Sequence, residues 1–147
     1  MNGAATGLVD PLPPPVRRLF AALAHAGGPH AGEAQPTAGQ RWVSGEAGRE
    51  RHGTRVRFLL RLDRDRLLEV RYRAYGCPHT LAACEWVCQQ LDGAGRVPVE
   101  LRGERIGGPA DWAGALQIPP VKLGRLLVVE DALKAALEAA DKSMTDW

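Results

Sequence analysis

Aromatic side chains are scarce in this 147-residue chain, at 5% of the total. Aliphatic residues must therefore fill whatever core the chain builds. Cysteine is scarcer still. Cys77, Cys84 and Cys88 are the three present, an odd number packed into one short stretch. They exclude a disulfide framework and fit a reducing compartment, so a cytoplasmic protein is expected. No apolar run approaches the roughly 20 residues that cross a bilayer. Met1–Pro15 lacks a basic stretch followed by an apolar one, so no secretory leader is expected. Neither charge sign is in excess. Lys and Arg number 19 against 17 Asp and Glu, a formal charge of +2. That balance argues against a nucleic-acid or membrane-surface protein. A Gly-rich phosphate loop before a helix, a nucleophilic serine elbow, paired zinc Cys-x-x-Cys motifs and a catalytic carboxylate pair are all missing. Nothing here points to an enzyme.

What is present is periodicity. Residues 1–15 are small and proline-rich and read as a mobile lead-in. Residues 16–142 read as one domain, with 143–147 a tail. Val16, Leu19, Phe20 and Leu23 form the stripe of a short helix ended by Gly27-Gly28. Residues 27–50 read as a long loop with one edge strand near Gln40–Ser44. Val56, Phe58, Leu60 and Leu62 then alternate with Arg55, Arg57, Leu59 and Arg61. After Asp63-Arg64-Asp65-Arg66, a second run sets Leu68, Val70, Tyr72 and Ala74 against Glu69, Arg71, Arg73 and Tyr75. Period 2 on both sides of a polar turn is a β-hairpin with one buried face.

Gly76-Cys77-Pro78 breaks the second strand. A helix is expected from about Pro78 to Leu91, with Leu81, Cys84, Cys88 and Leu91 on one face. A short strand at Val97–Leu101 and a helical turn at Asp111–Leu116 follow. Ile118-Pro119-Pro120 is stiff. A long helix from about Val121 to Lys142 presents Leu126, Val129, Leu133, Ala136, Leu137 and Ala140. The fold class expected is α+β: a small antiparallel sheet of two or three strands, with helices packed on one face.

Two segments together carry a family resemblance. The first is Arg71-Tyr72-Arg73-Ala74-Tyr75-Gly76-Cys77, a strand running into a Gly-Cys turn. The second is Ile118-Pro119-Pro120-Val121-Lys122-Leu123, followed by Glu130-Asp131-Ala132-Leu133-Lys134-Ala135-Ala136-Leu137. In this order they resemble the U-type iron–sulfur cluster scaffold family, IscU and the N-terminal domain of NifU. The resemblance implies an α+β sandwich that binds iron or an iron–sulfur cluster and passes the cluster on. It implies a cysteine desulfurase as sulfur donor and an Hsp70-type chaperone that recognises the loop Ile118, Pro119, Pro120, Val121 and Lys122.

The ligand positions depart from the family. Its first cysteine lies in a Cys-Gly-Asp turn before the hairpin, which falls on His52-Gly53-Thr54. Its second is Cys77. Its histidine–cysteine pair falls on Gly124-Arg125. The resemblance thus leaves Cys77 and His52 as candidate metal ligands, with His79 a further imidazole. A [2Fe–2S] cluster takes four protein ligands, so two chains could pool Cys77 and a histidine each in a homodimer. Arg125 at a former thiolate position favours an anion or a thiolate and repels a metal cation.

Other features have plainer readings. Cys77 precedes a helix, whose positive end lowers a thiol's pKa. Cys84 and Cys88 sit on the apolar stripe and read as core. His25 and His30 have no partners in view. Nine arginines lie between Arg49 and Arg73. With Asp63, Asp65 and Glu69 among them and few outward aromatics, they read as a solvated or partner-facing sheet surface. Three functions stay open: a cluster scaffold, a single-cysteine persulfide carrier, or a non-catalytic interaction module of the assembly machinery.

Overall fold

A computed structural model describes residues 12–27, 39–92 and 106–145. The element order is helix α1 (Pro14–Phe20), strands β1 (Gln40–Arg49), β2 (Thr54–Asp63) and β3 (Arg66–Tyr75), then helices α2 (Pro78–Asp92), α3 (Pro109–Leu116) and α4 (Leu123–Thr145). Short 3-10 turns at Glu50–His52 and Pro120–Lys122 precede β2 and α4. The expected strand at Val97–Leu101, His30 and the first eleven residues lie outside the described residues. Among the described residues, no helix is long and apolar enough to cross a membrane.

The three strands form one antiparallel sheet in the order β1-β2-β3. Alternation decides its inner face. Val56, Phe58, Leu60 and Leu62 of β2 are fully buried, while Arg55 and Arg57 point to solvent. Val56 pairs with Ala74, Phe58 with Tyr72 and Leu60 with Val70. The register then shifts, so that Arg61 faces Glu69 but Leu62 faces Leu67. The periodic reading put Leu68 in the core; Leu67 is buried instead, and Leu68 is half-buried. The cause is the extra residue taken up by the bulge, which reverses the side-chain sense beyond it.

β1 is longer than the edge strand expected at Gln40–Ser44, running on to Arg49 and pairing along the whole of β2. A Cβ added at Gly45 would stand 2.0 Å from the backbone nitrogen of Ala136. Glycine and alanine there let α4 lie directly on the strand. Leu126, Val129, Ala132, Leu133, Ala136 and Ala140 make up the buried stripe of α4.

α1 ends at Phe20, earlier than its apolar spacing predicts. The chain beyond it runs along the open edge of β3. The Tyr72 N–H donates to the His25 carbonyl at 3.1 Å, and the Gly27 N–H donates to the Tyr72 carbonyl at 2.8 Å. Backbone pairing with an unfilled sheet edge here replaces further helical turns. α2 packs between β3 and α1, which is why Ala82, Ala83, Cys84, Val87, Cys88 and Leu91 are all fully buried. Trp112 of α3 is also fully buried, and its indole N–H donates to the Ile106 carbonyl at 2.8 Å.

Candidate functional site

Cys77 occupies the two-residue joint between the end of β3 at Tyr75 and the start of α2 at Pro78. Gly76 fits the close packing there, since an added Cβ would lie 3.0 Å from the Thr80 side chain. The Cys77 Sγ is 3.5 Å from the Thr80 hydroxyl and 3.9 Å from Nδ1 of His79. Burial alone would raise this half-buried thiol. The Thr80 hydroxyl, the backbone N–H groups of Thr80 and His79, and the charge of Arg125 together outweigh burial and hold it below the usual thiol range. Hydrogen bonds and positive charge favour the thiolate, the nucleophilic form.

The other two thiols are of a different kind. Cys84 and Cys88 are fully buried on α2, and burial together with the neighbouring Glu85 pushes both thiols up. They are core residues, inert as thiolates.

A cavity of about 270 Å³ opens between the β1–β2 connection and the first turn of α4, lined by Gly48, Arg49, His52, Thr54, Gly124, Arg125 and Val128. Four of these, His52, Thr54, Gly124 and Arg125, stand at the positions that the resemblance assigns to ligands this chain has lost. His52 is exposed, at the end of the 3-10 turn that the left-handed Gly53 closes. Cys77 is not among the lining residues; the charge of Arg125, which is, acts on its thiol. His79 is buried behind the thiol.

Among the described residues, no three His, Cys, Asp or Glu side chains gather as a metal-holding group. The described residues of one chain therefore do not bring together the four ligands of a [2Fe–2S] cluster. A guanidinium facing the cavity opposes a cation electrostatically. The donor set present suits one reactive thiol beside positive charge.

The proline loop is split between core and solvent. Ile118 is buried, whereas Pro119 and Pro120 are exposed and Val121 is 81% exposed. Its buried anchor holds the loop, and the Pro-Pro-Val segment projects.

One cluster escaped the sequence reading. His25 places Nδ1 2.5 Å from Glu85 and Nε2 2.6 Å from Asp92, and its backbone N–H donates to Glu85 at 2.9 Å. Glu85 is fully buried in mid-α2 and also accepts from Gln89 at 3.2 Å. The available signal was Glu85 itself. A carboxylate among Cys84, Val87 and Cys88 on a buried helix needs a partner.

The profile of the NifU-like N terminal domain family matches residues 23–143. A "Bifunctional protein NifU/MnmA" from Rubrobacter xylanophilus is 38% identical over 100 residues, covering 64% of this chain and 19% of that protein. This chain thus spans about a fifth of that relative's length. Among solved structures, a putative iron–sulfur cluster assembly scaffold protein for the SUF system from Fervidobacterium islandicum AW-1 superposes with a TM-score of 0.53. The superposition covers 84% of this chain and 94% of that one at 15% identity, a likeness of fold. The α+β architecture, the Gly-Cys joint after β3 and the profile running through the sheet and α4 agree: the chain belongs to the NifU-like N terminal domain family.

Proposed function

We propose that this protein serves iron–sulfur cluster assembly as a scaffold-type member whose working group is the Cys77 thiol, which accepts sulfur as a persulfide. One observation carries the reading. Of three cysteines, Cys77 alone is accessible and biased toward thiolate, while Cys84 and Cys88 are sealed in the core. The donor is a cysteine desulfurase bearing a persulfide. The Cys77 thiolate attacks the terminal sulfur, and a new S–S bond forms at Cys77. The donor's S–S bond breaks, and its electron pair leaves on the donor cysteine as a thiolate. The projecting Pro119-Pro120-Val121 segment and Lys122 are the contact for an Hsp70-type chaperone, with Ile118 as the internal anchor. A reducing cytoplasm keeps Cys77 free for this exchange.

The test is anaerobic incubation with a cysteine desulfurase, cysteine and iron, followed by intact-mass measurement and assay of iron and acid-labile sulfide. The expected result is a mass gain of one sulfur on Cys77, absent in Cys77→Ser, with little iron retained. Near-equal iron and sulfide dependent on both Cys77 and His52 would overturn the carrier reading in favour of a cluster shared by two chains. Absence of both sulfur and iron would leave only an interaction module.

A further inference from the structure

The cavity between the β1–β2 connection and α4 has an electrostatic character that sulfur acceptance by one thiol does not require. Two of its lining residues are arginines, Arg49 and Arg125, and none is acidic. Elsewhere on the sheet, guanidiniums find carboxylates: Arg55 reaches Glu46 at 2.6 Å and Glu50 at 3.7 Å, and Arg61 reaches Glu69 at 3.2 Å. Among the described residues, neither the Arg49 nor the Arg125 guanidinium forms an ion pair or hydrogen bond. The two come from separate elements, the last residue of β1 and the first turn of α4.

The space between them is kept open by glycine. Gly48 has φ +85°, in the left-handed region, and adds no side chain to the wall. Gly124 is exposed, and a Cβ there would meet nothing within 4 Å. Thr54, buried at 6% exposure, completes the lining on the β2 side. Guanidinium groups bind tetrahedral oxyanions through paired N–H donors, and with no competing carboxylate that capacity is unspent.

We propose that this cavity binds a small dianionic oxyanion of the thiosulfate, sulfate or phosphate class, held between Arg49 and Arg125. The site deepens the sulfur-acceptor reading, on which its biological meaning rests, by holding a sulfur-bearing anion at an arginine whose charge also acts on the accepting thiol. Binding itself requires the two arginines and not the Cys77 sulfur.

The experiment is a titration of the full chain with sodium thiosulfate, sodium phosphate or sodium sulfate at constant ionic strength, with sodium chloride as control. It is followed by backbone amide NMR shifts and by calorimetry. Saturable shifts confined to residues 48–54 and 124–128 are expected. Arg125→Gln and Arg49→Gln should each weaken binding about tenfold or more, as loss of a charge-assisted hydrogen bond does. Gly124→Glu, at a position where an added Cβ meets nothing within 4 Å, should abolish binding while the urea midpoint stays near the wild type's. Cys77→Ser should retain binding, as tight as the wild type's or tighter because no thiolate competes for Arg125, which separates this site's failure from failure of sulfur acceptance. Preference for thiosulfate identifies a sulfur source, and equal binding of all three a general oxyanion site. Shifts that track chloride, or that survive both arginine substitutions, overturn the proposal.

Discussion

Nδ1 of His25 lies 2.5 Å from a carboxylate oxygen of Glu85, 60 residues away in the chain. This contact ties the segment after α1 to the middle of α2, the helix that Cys77 introduces. Asp92 holds the other ring nitrogen at 2.6 Å. Burial on its own would lower the His25 pKa, but its hydrogen bonds to Asp92 and Glu85 and their charges outweigh that and raise it.

The sign of the resulting pH dependence follows. A histidine whose folded pKa is raised contributes stability fully below its unfolded value, about 6.5, and loses it as pH rises through the folded value. The thermal midpoint should therefore fall as pH is taken from below 6.5 upward through the raised folded pKa. His25→Gln should flatten that slope. His25→Ala leaves the fully buried Glu85 without its cation and should cost on the order of 3–5 kcal/mol in urea unfolding near neutral pH.

Alkylation should discriminate the thiols. In the folded protein at neutral pH, iodoacetamide should modify Cys77 and leave Cys84 and Cys88 untouched until denaturant is added. Thr80→Val removes the hydroxyl 3.5 Å from the sulfur, so the thiol pKa should rise and alkylation slow several-fold. Arg125→Gln should act in the same direction. Protection of Cys84 and Cys88 in each variant reports an intact fold. Unchanged Cys77 kinetics in both would show that neither group stabilises the thiolate.

The close approach of β1 to α4 makes Gly45 a sensitive position. Gly45→Ala forces a methyl group against the Ala136 backbone, which strand and helix must separate to admit. Overpacking of this kind costs about 1–3 kcal/mol or more. Gly124→Ala serves as the control, because its added methyl enters open space and should be neutral or slightly stabilising. Urea midpoints of the two variants give the comparison.

The proline loop separates stability from recognition by residue. Ile118→Ala empties a buried site and should cost about 2–5 kcal/mol. Val121→Ala, at 81% exposure, should stay within about 0.5 kcal/mol of the wild type. A loss of chaperone affinity in Val121→Ala, read by fluorescence anisotropy, would then report a direct contact. Unchanged affinity would remove Val121 from that interface.

Local periodicity was enough for the β2–β3 hairpin, α2 and α4, because each buries one face and repeats its apolar residues at its own spacing, whereas α3 is too short to repeat and reads only as a helical turn at Asp111–Leu116. It missed what depends on a neighbour. Leu68 was read into the core because alternation assumes an unbroken ladder, and the bulge beside Arg61 and Leu62 breaks it. β1 was read as short because its inner face is Val43, Gly45 and Ala47, small residues suited to the approach of α4 and weak as a hydrophobic signal. α1 was read as too long because the open edge of β3 captures His25 and Gly27.

The sequence by itself determined the α+β class and the Gly76-Cys77 joint. These are local patterns or residue identities, and no packing is needed to read them. Tertiary structure alone decided that the charge of Arg125 acts on the Cys77 thiol. It also decided that His25, Glu85 and Asp92 meet, and that Arg49 and Arg125 share one cavity. These groups are distant in the chain, and charge acts through space, so only the folded arrangement sets which of them interact.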